Sequence, residues 1–454
     1  MNLNEILTYL PEVKGPIEKR LPFNTKLKWT LIVLALFFIL ANVPLFGLAA
    51  NSLSRFEYLS IILASQFGSV ISLGIGPIVM ASIILQLLVG AKILDIDMLK
   101  PEGKKLFQGL QKLLVIFFCI FEATVYVLMK GLEAQPGMTG LLIFQIFLGG
   151  ILIMFMDEIV SKWGFGSGVS LFIAAGVGWN LFTSAFGFLG LENQLTWSGK
   201  LWTFFISLAR GDTLNAGAAG SAIIATLLVF LVVVWAQSIK VEIPLSFGRI
   251  RGFGLRWPLA FFYTSNIPVI LTAALLANIH LFASLLQNWL GHPTFLGGFS
   301  NGVATSGLAM FLAGQNFLEH IIRGSFSWIL LLQALTYMAV MVAGSVMFSI
   351  FWVKTAGMDS SSVAKQILNS GLQIPGFRKD SRILETILDR YIMPLTVMGG
   401  AAVGILAAAA DLTGALVRGT GLLLAVMIVY KLYQDIAQQH AYDMHPSLKK
   451  VMGK

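Results

Sequence analysis

Residues Gly68–Gly90, GSVISLGIGPIVMASIILQLLVG, decide how the rest of the chain is read. The last nineteen of them, Ser72 to Gly90, span about 28 Å as a helix at 1.5 Å per residue, roughly the hydrocarbon thickness of a bilayer. Yet Gly74, Gly76 and Pro77 fall where a simple anchor carries Leu and Val, and they weaken the backbone ladder there. Irregular backbone at membrane depth survives only where protein or a water-filled cavity covers it, so this segment is expected to line something. Ile75 and Val79 share one face at its start and are candidates for a narrow apolar constriction. The competing reading from this stretch alone is a lipid-facing helix with packing glycines.

The composition agrees with a membrane setting. The chain has 454 residues, 57% apolar and 12% charged, with a mean hydropathy of +0.81, far outside soluble globular usage. The lone Cys119 excludes an intramolecular disulfide, and the five histidines show no metal-ligand spacing. Residues 1–28 are polar and basic without a short apolar core, so no cleaved signal peptide is expected.

Apolar windows predict ten spans near residues 30–48, 72–90, 112–129, 140–158, 168–188, 220–237, 259–282, 327–352, 391–410 and 415–433. Ten crossings put both termini on one side. Of the 31 Lys and Arg, that side holds 25 and the other holds Arg55, Lys130, Lys200, Arg210, Arg323 and Arg418. The bias predicts cytoplasmic termini. Five spans per half is an odd number, so a duplicated half would be inverted. Ile75-Gly76-Pro77-Ile78-Val79 and Asn266-Ile267-Pro268-Val269-Ile270, each in the second crossing of its half, carry a trace of such a duplication.

Two loops on the termini side, 238–258 and 354–390, are too long to be mere turns. Arg249, Arg251 and Arg256 in the first, and Arg378 and Lys379 in the second, suit phosphate backbones or simply satisfy the inside-positive rule. Segment 51–66 on the other side is half apolar and too short to span. Glu122 stands near the middle of span three and is a functional candidate by default, with Asn278, Gln86 and Ser82 as available partners.

Absences narrow the function. No phosphate loop occurs, since Gly103-Lys104-Lys105 lacks the hydroxyl and the upstream glycine. Gly166-Ser167-Gly168 has no histidine in a nearby helix to act as base, which argues against a hydrolase. Only Glu122 offers an ionisable group at midplane, too few for most ion-coupled transporters. A gated passive pathway, with no enzyme activity and no cofactor, is the expectation. A secondary transporter energised through Glu122 and an intramembrane hydrolase using Ser167 are the alternatives.

A family likeness runs through these residues. Gly74 to Val79 followed by Gln86 to Gly90, Phe107-Gln108-Gly109, Asp157 to Lys162 through Gly168, Ile243-Pro244-Leu245, Ser265 to Ile270, Gly376 to Lys379, Arg390-Tyr391-Ile392 and Gly419-Thr420-Gly421 together resemble SecY, best the archaeal type. The resemblance implies an all-α polytopic membrane protein whose ten transmembrane helices form two inverted five-helix halves around a central hourglass pore. It implies a passive channel for unfolded secretory polypeptides and signal sequences, set in the plasma membrane and open sideways to lipid. The pore ring would be Ile75, Val79, Val169, Ile173, Ile270 and Leu424. The plug would be segment 51–66, with Asn51, Leu53, Arg55, Phe56, Leu59 and Ile62. A lateral gate between spans two, three, seven and eight would hold Ser82, Glu122 and Asn278 as its polar cluster. Here the chain departs from the family, with Met80 where a small hydroxyl residue is common. Arg249, Arg251, Arg256, Arg378 and Lys379 would dock the ribosome, and SecE-like and small beta subunits would complete a heterotrimer. The implied division is a cytoplasmic segment 1–29, a first half 30–190, an external linker 191–219, a second half 220–433 and a cytoplasmic tail 434–454.

Overall fold

The computed structural model describes residues 10–18, 21–51, 63–94, 96, 100–187, 199–247, 254–300, 302–369, 372–373 and 381–444. Among the described residues, nine helices are long and apolar enough to cross a bilayer, and a tenth, shorter one completes the set. The first half comprises α1 (Phe23–Ala41), α2 (Gly76–Gly90), α3 (Pro101–Leu128), α4 (Thr139–Trp163) and α5 (Gly168–Phe186). A short helix α6 (Lys200–Ala209) leads to α7 (Thr213–Ser238) and α8 (Ile267–Leu290). Two further short helices, α9 (Gly307–Phe311) and α10 (Phe317–Ile322), precede α11 (Trp328–Thr355). Then follow α12 (Ser360–Asn369), α13 (Ser381–Leu412) and α14 (Gly419–Met444). Spans one to five are α1 to α5, and spans six to ten are α7, α8, α11, α13 and α14.

Three sequence expectations need correction. Span one runs Phe23–Ala41, not 30–48, because residues 42–47 run as turns and an isolated bridge before a strand begins at Leu48. Span two is not one helix from 72 to 90: residues 70–75 run as turns and the helix begins only at Gly76. Gly74 at φ +55° makes this bend, with the Leu63 carbonyl 2.2 Å from where its Cβ would stand. Span seven starts at Ile267, not near 259, because residues 259–260 end a strand and the apolar-rich stretch 261–266 runs as bend and turn, which hydropathy alone does not tell from helix. That strand, Gly254–Ala260, pairs antiparallel with the strand Lys240–Phe247, which also pairs with Leu372–Gln373. The two long basic loops are thus joined in one small sheet.

The halves repeat one packing scheme. Spans two and three, three and four, one and four, four and five, and one and five are neighbours; so are seven and eight, eight and nine, six and nine, nine and ten, and six and ten. The match extends to single residues. Gly149 on span four presses against the Val70 carbonyl oxygen, which an added Cβ would meet at 1.7 Å, and Gly399 on span nine presses against that of Phe261, at 2.6 Å. Val70 and Phe261 each lie seven residues before the proline of their half, Pro77 and Pro268. The next residues, Gly150 and Gly400, meet Cys119 on span three and Ser349 on span eight. Small residues let these backbones close without an apolar driving force between helices. With five crossings per half, the second copy runs inverted.

Between the halves, span two packs on seven and eight, span three on seven, and spans five and one on ten. Span seven is the most enclosed, whereas Leu227, Leu228, Leu231 and Trp235 of span six and Leu31 and Ile39 of span one face outward. An apolar exterior is what a lipid surround requires.

Candidate functional site

Spans two and seven start in the same unusual way. Each has a proline at the second helical position, where the missing N–H costs nothing, and each is entered through a residue of positive φ three positions earlier, Gly74 at +55° and Ser265 at +58°. This places Val79 and Ile270 at equivalent points two residues beyond Pro77 and Pro268. Spans five and ten also start alike. Asp157 accepts from the Val169 N–H at 2.9 Å and from the Ser167 hydroxyl at 3.5 Å; Asp411 accepts from the Thr420 N–H at 2.8 Å and from the hydroxyls of Thr420 and Tyr337.

Along spans five and ten, buried aliphatic residues separate cavities on the two sides. On the side of the termini, a cavity of about 370 Å³ is bordered by Ile78, Val79, Val169, Ala174, Ile270 and Ile428, with Asp157, Lys431 and Asp435 towards its mouth. On the opposite side lie cavities of about 230 and 530 Å³ that share Asn180. Span ten shows the order along the axis. Val417 to Gly419 line the far cavity, Leu424 is 1% exposed, and Ile428 and Lys431 line the near one. Span five gives the same order in reverse, with Val169 and Ala174 on the near cavity, Ile173 and Val177 buried, and Asn180 on the far cavities. From Gly419 to Ile428 is about 14 Å of helix, half a bilayer or less.

The six residues of the expected ring divide into two groups. Ile75, Ile173 and Leu424 are 0–1% exposed and border none of these cavities, whereas Val79, Val169 and Ile270 form the floor of the near cavity. Ile78 joins that floor and was missed by the sequence reading, which took only the i, i+4 pair on span two.

The expected gate cluster is more dispersed. Ser82 accepts from the Gln111 amide at 2.8 Å and donates to the Ile78 carbonyl, tying span two to span three. Asn278 donates only to its own helix, to Ala274 at 2.9 Å. Glu122 is fully buried, neither carboxyl oxygen is hydrogen-bonded among the described residues, and Oε2 lies 3.1 Å from where a Cβ on Gly76 would be. Among the described residues no hydrogen bond joins these three. Met80 is half-buried against the apolar core. Gln111 and the aspartates 157 and 411 were also missed, because no local pattern marks a polar residue that will meet another span.

Of the expected plug, Asn51 is described: it ends the strand Leu48–Asn51 and donates to the Phe67 carbonyl at 2.9 Å. Leu53, Arg55, Phe56, Leu59 and Ile62 lie outside the described residues, as do Arg249, Arg251, Arg378 and Lys379. Arg256 stands on the strand Gly254–Ala260 opposite Pro244. Ser167 is exposed on the near cavity beside Asp157, and no histidine lines that cavity.

Comparison with known proteins places these features. The SecY family model matches residues 69–433, and the model for the plug domain of Sec61p matches residues 36–68, enclosing segment 51–66. The protein translocase subunit SecY of Methanothermobacter thermautotrophicus is 47% identical, covering 99% of this chain and 98% of its own length. That of Methanocaldococcus jannaschii is 45% identical, covering 99% of each. Among solved structures, one titled as the structure of a protein conducting channel superposes with a TM-score of 0.84 at 43% identity, over 99% of this chain and 100% of its own. Sec61 in the canine ribosome-channel complex from the endoplasmic reticulum gives 0.80 at 42% identity, with the same coverage. Mirrored helix starts, an aliphatic waist between two cavities, and likeness along the whole length have one explanation, that this chain belongs to the SecY family.

Proposed function

We propose that the chain is the pore-forming subunit of a protein translocase, a passive conduit for unfolded polypeptide. The observation that carries this reading is the short apolar waist between cavities on opposite sides, built by helices of both halves. Branched aliphatic walls shed water and so hold back ions, yet they repack around varied side chains. Ile75, Val79, Val169, Ile173, Ile270 and Leu424 form that waist, and segment 51–66 stoppers its outer side.

Apolar segments leave through the seam where spans two and three meet seven and eight, with Ser82, Glu122 and Asn278 as its polar residues. Sorting follows transfer free energy: at about −0.6 to +3.5 kcal/mol per central residue, one Lys or Arg decides the fate of a marginal segment. The basic loops face the cytoplasm with both termini, in a plasma membrane, as the 25-to-6 distribution of Lys and Arg favours. The sheet that joins the loops supports a shared docking role for Arg249, Arg251, Arg256, Arg378 and Lys379 on ribosomal RNA, and the likeness to Sec61 of the ribosome-channel complex points the same way. Family membership supports a SecE-like and a small beta subunit as further partners.

Site-specific crosslinking of a stalled secretory chain to probes at Ile75 and Ile270 tests the path. Adducts at both positions are expected. Their absence from both, while lipid-facing control positions react, refutes it.

A further inference from the structure

Spans five and ten complete the waist, and their first turns agree in four respects. Each begins with a glycine that has no room for a side chain: a Cβ on Gly168 would lie 2.5 Å from the Cα of Asp157, and one on Gly419 would lie 1.9 Å from the carbonyl carbon of Ala410. In each, the N–H of the second helical residue, Val169 or Thr420, is bound by an aspartate of the preceding span. Each carries leucine at the fourth position, Leu171 or Leu422. And each buries its waist residue four positions beyond the bound amide, Ile173 or Leu424, both 1% exposed.

The aspartates themselves are not at repeated positions. Asp157 precedes Gly168 by eleven residues and Asp411 precedes Gly419 by eight. Two different loop lengths therefore deliver a carboxylate to the same amide. Because the halves are inverted, Asp157 acts from the cavity on the side of the termini and Asp411 from the far one. A buried carboxylate is expensive in a membrane protein, and Asp411 is 4% exposed, so its retention needs a reason beyond composition. Tyr337 of span eight donates to it as well, and Gly314 packs on both groups with no Cβ in the way. The first turn of span ten is thereby fastened to spans eight and nine together.

We propose that Asp157 and Asp411 are a matched pair of positioning residues for the seal, each setting the level along the pore at which one waist residue closes. The proposal rests on the waist reading above. Fixing the capped amide fixes a residue four positions on, about 6 Å along a stiff helix. The carboxylates touch no substrate. Their effect reaches the pore through Ile173 and Leu424.

The test uses the whole channel complex, purified and reconstituted into vesicles, with potassium chloride efflux as the probe. Asp157→Ala and Asp411→Ala are each expected to raise resting efflux about five-fold, the population shift that losing one helix cap allows, without lowering the midpoint of thermal unfolding by more than a few degrees. Asp157→Asn, which keeps an acceptor oxygen for the Val169 amide, is expected to bring efflux back to the starting level. If Asp411→Ala does not assemble, Thr420→Val removes one bond of the same cluster and must leak by itself. Ile75→Gly with Val79→Gly serves as the reference. Leak in the reference but in none of the aspartate or threonine variants overturns the inference and leaves the waist standing; no leak in any of them overturns both. Leak in Asp157→Ala that Asn does not rescue also overturns it, since charge and not amide capture would then be what matters.

Discussion

Gly90 at the end of span two lies under Phe351 of span eight so closely that a Cβ at residue 90 would stand 2.4 Å from the ring's Cδ1 and 3.1 Å from its Cβ. This close approach leaves no room for a side chain at residue 90 unless the ring moves. Gly90→Val is expected to wedge the seam at an overpacking cost of about 1–3 kcal/mol to the closed state, at least a five-fold shift towards opening. Measured as the hydrophobicity at which graded test segments enter lipid, the threshold should fall. An unaltered threshold would mean that this seam is not the exit.

Replacing Ile75 and Val79 by glycine removes two side chains that are 0% and 3% exposed. Large-to-small changes in a packed interior leave cavities and cost about 2–5 kcal/mol each. Here the space opens on the axis between the two cavities, so conductance of planar bilayers should rise. A silent membrane would count against the waist.

The segment before span one is latched to the end of span four. Lys162 Nζ reaches Glu12 Oε1 and the Val13 carbonyl, both at 2.5 Å; the Trp163 indole donates to the Lys14 carbonyl at 2.9 Å, and the Val13 N–H donates to Glu158 at 3.2 Å. The hydrogen bond from Lys162 holds the Glu12 carboxyl below its ordinary value of 4.5. A group depressed in the latched state stabilises it fully above that ordinary value and loses the contribution as pH falls through the lowered one. Trp163 fluorescence should therefore stay constant from neutral pH down to about 5 and change only in more acidic buffer. Glu12 is largely exposed, so the effect should be small and weaken in high salt. A transition near neutral pH would show that another group controls the latch.

Charge reversal at Arg249 together with Arg378 should weaken ribosome binding, with a smaller dependence of affinity on salt because fewer phosphate contacts remain. Cosedimentation at several salt concentrations measures both. Undiminished binding throughout would remove these loops from the docking surface.

The repeated halves predict matched sensitivities. Gly149→Ala and Gly399→Ala each force a Cβ into a backbone carbonyl oxygen, at 1.7 and 2.6 Å, and backbone cannot swing aside. Both should lower the thermal midpoint of the purified complex, Gly149→Ala the more. A stable Gly149→Ala variant would contradict the close crossing of span four over residue 70.

Hydropathy and charge placement were enough to read ten crossings, both termini on one side, two halves of five and the apolar character of Ile75 and Val79, because these follow from lengths and transfer energies that act residue by residue. The proline motifs of spans two and seven even disclosed the duplication, since proline and a positive φ impose the same local start wherever they occur. The strand end and turn before span seven were misread because apolar content does not tell irregular backbone covered by protein from a helix. Tertiary structure alone decided that Ser82 meets Gln111, that Glu122 faces Gly76, and that Asp157 and Asp411 find the same amide from different distances along the chain. Such pairs depend on how separate helices cross, and a crossing is settled by the fit of many small side chains at once, which no single stretch of sequence contains.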